Sequence, residues 1–409
     1  MRRPAISKLS DALNTVINSV VIYKRPVMDL ISRLTTLIAH NSISSVLPEY
    51  DESNLPVINT LAQWFSELGF TCEILPLEGF PGKANLIATL GRGDGGLVLS
   101  GHTDTVPCNP ERWQSDPFTL TERDGRFYGL GTCDMKGFFA LVLEALKHYQ
   151  ASDFKQPLII LATADEESSM CGARALAQQG KPKARYAVVG EPTSLKPIRM
   201  HKGIMMESVR LTGKAGHSSN PDLGINALDA MVPVMNELMN LRRDLAGRYQ
   251  NAHFAVQVPT LNLGCIHGGD NPNRICGSCE LAFDLRTLPG MSNDDLREEI
   301  RQRLNPIAEQ NRVEFSFEPL FPGVNSFETA ATSPLVQAAE RLTGHTSAAV
   351  NYATEAPFLQ ELGIDTIVLG PGNIDQAHQV DEYLAQDQIE PCVELLRGLI
   401  ERFCLHPSV

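Results

Sequence analysis

The feature that most constrains this chain is a set of four short apolar runs, each followed closely by a histidine or an acid. The run in LVLSGHTD leads to His102 and Asp104, and the run in PLIILATADEE leads to Glu166 and Glu167. AVVGEP ends at Glu191, and residues 366–369 in DTIVLGPG are followed shortly by His378. Runs this short and this apolar read as buried strands. In open α/β sheets, sites form just outside the carboxyl ends of the strands, so these polar residues are expected to converge. His102 and Asp104, two apart in an extended segment, share a face. Asp134 is expected to join them from a turn containing Gly129 and Gly131, ahead of an apolar helical pattern over residues 138–146.

At 409 residues the chain exceeds one ordinary core, and two domains are expected. Helical spacing over residues 27–38 and 55–68, the second ending at Gly69, precedes the strand-like segments FTCEILPL and ANLIATL. The intervening Gly91, Gly93 and Gly96 match a dinucleotide fingerprint on paper. A strand follows them where a phosphate-binding helix should start, so they read as a turn. From about residue 202 to 319 the texture changes to alternating strands (MMESVRLTG, TLNLGCIHGG, CELAFDLRTL) and two amphipathic helices. The expected fold is α/β, with a mixed, mostly parallel sheet flanked by helices over residues 27–201 and 320–409. Inserted into it, over residues 202–319, is an α+β domain with a small antiparallel sheet and two helices.

A net charge of -13 and a pI near 5.3 argue against a nucleic-acid partner, which clustered Lys and Arg would bind. Nine scattered cysteines fit a reduced, cytoplasmic setting better than a disulfide framework. No run approaches the length of about 18 apolar residues that a membrane span requires. Residues 1–26 read either as a frayed arm or as an upstream-start artefact with Met28 as initiator.

Each polar residue has a structural reading of its own. His102 could be a satisfied core histidine, Asp134 a helix cap, Glu166 and Glu167 acids at a helix N-terminus, and His378 a loop residue. Together, metal-ligand residue types recurring at several strand ends point to a metal site. GHTDTVP, GLGTCDMKG, ADEES, VGEPT and QAHQ, in this order and spacing, resemble the zinc-dependent family of aminoacylases, carboxypeptidase G-type enzymes and succinyl-diaminopimelate desuccinylase. The resemblance covers nearly the whole chain from about residue 27 and includes NLGCIHGGD, NRIC, LPGM, TEAPF and LGPG.

The resemblance implies two Zn2+ ions per subunit, with Co2+ as a substitute. His102 and Glu191 would hold one ion, Glu167 and His378 the other, and Asp134 would bridge them. Three ligand carboxylates against four positive charges leave such a site close to neutral. Glu166, the acid left over, is then the general base, and Asp104 the partner that fixes the His102 ring. Cys133 offers a rival nucleophile beside the bridging acid, but no base and orienter accompany it. Cys276 and Cys279 form a lone C-x-x-C without the second ligand pair that structural zinc needs.

The resemblance further implies that the inserted domain is a lid and homodimer interface. His217, in GKAGHSSNP, would reach an active site, commonly the partner subunit's, and stabilise the oxyanion. Asn273, Arg274 and Arg286 are expected to bind a substrate carboxylate, and Glu355, in TEAPF, to face a distal ammonium. The expected reaction is hydrolysis of a small N-acyl amino acid, N2-acetyl-L-ornithine first, within arginine biosynthesis. Acetylcitrulline or succinyl-diaminopimelate are the alternative substrates, and a non-catalytic binding protein is a third reading.

Overall fold

The computed structural model describes residues 29–93 and 95–407; the N-terminal extension expected over residues 1–26 lies outside them. Helix α1 (Leu30–Ala39) starts where the Asp29 side chain accepts the Ser32 N–H at 2.7 Å, a carboxylate cap. Helix α2 (Leu55–Glu67) gives way at Gly69, whose φ of +90° suits glycine. Strands β1 (Thr71–Pro76), β2 (Ala84–Leu90) and β3 (Leu97–His102) follow, then the short β4 (Thr121–Arg123) and β5 (Arg126–Tyr128). Next come α3 (Lys136–Ala145), β6 (Leu158–Thr163), α4 (Cys171–Gln179), β7 (Tyr186–Val189) and β8 (Ile198–His201).

A separate four-stranded antiparallel sheet then forms from β9 (Met205–Thr212), β10 (Thr260–Gly268), β11 (Ser278–Arg286) and β12 (Glu314–Pro319), in the order β10-β11-β9-β12. Helices α5 (Ala227–Arg248) and α6 (Asn293–Asn311) pack on it around Val209, Leu238, Phe283 and Ile300. β12 has no counterpart among the expected strands; its Phe315 and Phe317 alternate with the polar Glu314, Ser316 and Glu318 along one short edge. The chain returns through β13 (Phe327–Glu328), α7 (Pro334–Thr343), β14 (Ala348–Val350), α8 (Ala356–Glu361), β15 (Asp365–Val368), β16 (Tyr383–Ala385) and α9 (Ile389–Ile400). The two crossings between the sheets run side by side, Ile204 and Val324 exchanging backbone bonds of 2.8 and 2.9 Å.

The large sheet runs β1-β2-β6-β3-β7-β15-β8-β13, with β14 on β8. Its centre, β6-β3-β7-β15, is parallel throughout, so four carboxyl ends open on the same edge. Every residue of β3 and β6 is buried, as a strand covered on both faces must be. Side chains alternate between two cores: Leu97, Leu99, Leu158 and Ile160 join α1, α2, α3 and α9, whereas Val98, Ile159 and Leu161 join residues of α4 and α8. The expected mixed sheet with a small antiparallel companion is the fold observed.

At the end of β8, His201 is fully buried, its Nδ1 facing the Lys202 carbonyl and its Nε2 accepting the Thr354 N–H. Burial outweighs those backbone bonds and pulls its pKa down to about 4. The folded protein therefore holds His201 neutral where the unfolded chain, titrating near 6.5, takes a proton. Its contribution is full above pH 6.5 and is lost as pH falls toward 4, about 3 kcal/mol in all. Urea melts of wild type and His201→Gln should differ less at pH 4.5 than at pH 7; a pH-independent difference would count against this.

Candidate metal centre

His102 closes β3 and is buried. Its Nδ1 lies 3.0 Å from the Asp104 main-chain oxygen and so donates to it, leaving the Nε2 lone pair to face the acids. Nε2 is 3.0 Å from Asp134 Oδ1 and 3.6 Å from Glu191 Oε1. His378, beyond β15, has φ +60°, a left-handed conformation in which histidine is enriched over most side chains. Its Nε2 is 2.9 Å from Glu167 Oε2 and 3.5 Å from Asp134 Oδ2. Asp134, from the turn between β5 and α3, thus presents one oxygen to each histidine. The Asp134–Met135 peptide bond that follows is cis.

Asp104 is beside His102 as expected, but a different atom holds the ring. Its carboxylate is 3.7 Å from Nδ1 and instead accepts the Glu166 and Glu167 amides at 3.2 and 3.0 Å. The side chain fixes the turn that carries those two acids; the main-chain oxygen orients the imidazole. Glu167 faces His378, whereas the Glu166 carboxylate makes no hydrogen bond among the described residues.

Two sets of atoms lie close enough to share an ion: His102, Asp134 and Glu167, and His102, Glu166 and Glu191, each within 4.8 Å of one another. The electrostatics call for cations. Burial, then the neighbouring carboxylates, push Glu166 and Glu191 well above the usual carboxylate range and raise Glu167. Burial would depress His102, yet Glu191, Asp134 and Asp104 drive it well up, and the Glu167 contact raises His378 to about 9. Burial would raise Asp134, but its His102 contact holds it below its ordinary value. Among the described residues no Lys or Arg pairs with Asp134, Glu166, Glu167 or Glu191. A nitrogen and oxygen donor set crowded with buried acids fits borderline divalent ions.

The other expected residues stand apart. His217 bonds Ser219 Oγ through Nδ1 at 2.7 Å and bridges to Arg274, in the connections of the small sheet. The Asn273 carbonyl accepts the Ser218 N–H. Arg274 pairs with Asp270 at 2.7 Å and Arg286 with Asp284 at 3.0 Å. Among the described residues none of these four has a hydrogen bond or ion pair to the acid cluster. Glu355 needs a correction: it is 1% exposed, and its two oxygens accept the Ser100 and Thr163 hydroxyls at 2.5 and 2.6 Å. It ties β3 to β6, buried with a hydroxyl on each oxygen, and is not presented at a surface where a substrate ammonium would lie.

Cys133 packs in the place a Cβ on Gly372 would occupy, its Sγ toward the Asn373 carbonyl at 3.6 Å. Burial and neighbouring acids push its thiol well up, so it stays protonated and is a poor nucleophile. Cys276 and Cys279 are both buried, and neither belongs to a metal-binding group among the described residues. Two residues near the centre were not anticipated. Glu382 is buried against the Asp134 turn. Tyr352 is close enough to feel Glu191 and Asp134, which with burial push its phenol up.

Residues 98–402 match the model of peptidase family M20/M25/M40. The chain is 50% identical over 370 residues to an acetylornithine deacetylase of Pasteurella multocida, covering 90% of this chain and 97% of that one. It is 51% identical over 368 residues to an acetylornithine deacetylase of Aliivibrio salmonicida, with the same coverage. Among solved structures, an M20 family metallo-carboxypeptidase from Sulfolobus solfataricus shares the fold at a TM-score of 0.70 and 17% identity, covering 91% and 99% of the two chains.

Proposed function

The chain belongs to the peptidase family M20/M25/M40, and from that premise we propose that it hydrolyses N2-acetyl-L-ornithine to L-ornithine and acetate on a pair of zinc ions. The observation that carries the reaction is Asp134, whose two oxygens face two different histidines, each accompanied by its own glutamate. The substrate rests on relatives named for it that match half of the residues over nearly the full length.

His102 and Glu191 would hold one ion and His378 and Glu167 the other, with Asp134 available to both; the same donors would accept Co2+. When bound, the ions supply Lewis acidity toward the amide carbonyl and acidify water. The chain's residues do the rest. The Glu166 carboxylate, which has no hydrogen bond among the described residues, takes the proton of the attacking water and returns it to the departing α-amine. Asp104 holds Glu166 in place through its amide. His217 donates to the developing oxyanion, while Asn273, Arg274 and Arg286 bind the substrate α-carboxylate.

His217 bonds Ser219 Oγ within its own loop, and we place it at the partner subunit's centre across a homodimer. The small sheet offers the surface. Its β10 edge strand is largely exposed, including Ile266, and α5 exposes Leu228 and Val232. Residues 202–319 then act as lid and dimer contact on a catalytic unit of residues 27–201 and 320–409. No described helix is long and apolar enough to cross a membrane; the proposed setting is the cytoplasm, in arginine biosynthesis.

Stripping the protein with a chelator should abolish ornithine release from N2-acetyl-L-ornithine. Two equivalents of Zn2+ per chain should restore it. Undiminished turnover by verifiably metal-free protein would sink the metal-dependent reading.

A further inference from the structure

We propose that Glu382 is a positioning residue for the metal centre: its carboxylate sets the backbone of the turn that presents Asp134 to two ions. This rests on the two-metal reading above. Glu382 Oε1 accepts three amides at once, from Gly131 at 3.0 Å, Cys133 at 2.8 Å and Asp134 itself at 3.0 Å. Its main-chain oxygen takes a fourth, from Gly129, at 3.1 Å. One residue therefore accepts four of the six N–H groups of the Gly129–Asp134 turn, three of them converging on its carboxylate as in an anion-binding nest.

The placement is built by the fold. β16 pairs with β5 so that Tyr383 lies opposite Tyr128, which sets Glu382 against the turn that follows β5. Glu382 is 1% exposed, and the fully buried Lys136 is close enough to act as its counter-charge. An acid at this point works against electrostatics, because burial first, and then the nearby Asp134 charge, disfavour ionised Glu382. Filling space alone does not call for it; ordering three amides does. The segment that carries Glu382 also carries His378 four residues earlier, and His378 Nε2 lies 3.5 Å from Asp134 Oδ2. Main chain and side chain of Asp134 are thus gripped from one stretch of polypeptide. Loss of the Glu382 clamp lets the turn relax and takes Asp134 out of reach of one ion.

The test uses the metal-free full chain titrated with Co2+, read by calorimetry and by the visible absorption of the bound ion. Wild type should take two equivalents. Glu382→Gln, which keeps an acceptor oxygen, should bind both within about threefold of wild type. Glu382→Ala should bind the weaker equivalent about 10–100-fold less tightly, with an altered spectrum, as loss of a residue that orients ligands does. Wild-type affinity and spectrum in Glu382→Ala, with two equivalents in wild type, overturn this inference alone. Fewer than two equivalents in wild type overturn the two-metal reading and this inference with it. If Glu382→Ala does not fold, Glu382→Asp keeps the charge but withdraws the acceptor by one methylene. Weakened binding there supports the assignment, and wild-type binding overturns it.

Discussion

A Glu166→Gln variant is expected to fold, to carry both metal ions and to lose turnover by about 10²–10⁴-fold, the range a positioned proton-transfer group contributes. The reason is the division of labour at the turn after β6. Glu167 is committed to His378 at 2.9 Å, whereas the Glu166 carboxylate has no hydrogen-bond partner among the described residues. Glutamine keeps the size and the amide that Asp104 accepts, so the turn should survive. The variant also separates two roles, because Glu166 lies within ligand distance of His102 and Glu191. A base variant keeps its metal, measured by elemental analysis, while its kcat falls with KM little changed. If Glu166→Gln loses an ion together with its activity, Glu166 is a ligand and the proton carrier must be another group.

Asp134→Ala should be more damaging and in a different way. Both histidines converge on Asp134, so truncation removes the donor proposed to serve both ions. Loss of a residue that merely orients a ligand costs about 10–100-fold in affinity; loss of the shared ligand should exceed that. The purified variant is expected to hold at most one equivalent of metal and to show no measurable hydrolysis. Two tightly held equivalents in Asp134→Ala would mean that the ions sit elsewhere than between these histidines.

The legible part of the site was the part that strand ends dictate. His102, Glu166, Glu167 and Glu191 each follow an apolar run, and parallel pairing of β6, β3 and β7 brings those ends side by side. His378 was harder, lying ten residues past β15 in a left-handed turn that no periodicity announces. Asp104 shows the limit of residue-level reading: its main-chain oxygen, not its carboxylate, lies within hydrogen-bond distance of the His102 ring, because its side chain already serves two amides.

Glu355 shows a different limit. A carboxylate in TEAPF looked like a partner for substrate charge, and only the pairing of β3 with β6 reveals the two hydroxyls that consume it. Glu382 was illegible for the converse reason. Its partners are main-chain amides some 250 positions away in sequence, and a backbone donor leaves no trace in residue type. β12 escaped notice because six residues with two phenylalanines carry too little pattern. The large sheet and the separate small one were legible because continuous apolar runs and alternating ones differ in texture.

The proposed substrate is tested by the rate of amide hydrolysis by zinc-loaded wild type across N2-acetyl-L-ornithine, acetylcitrulline, succinyl-diaminopimelate and acetylmethionine. Ornithine and acetate are expected from the first, with kcat/KM of about 10⁴ M⁻¹s⁻¹ or more and roughly tenfold or greater preference over the others, the scale of one good polar contact. Inactivity toward all four, or a higher kcat/KM for any of the other three, would contradict it.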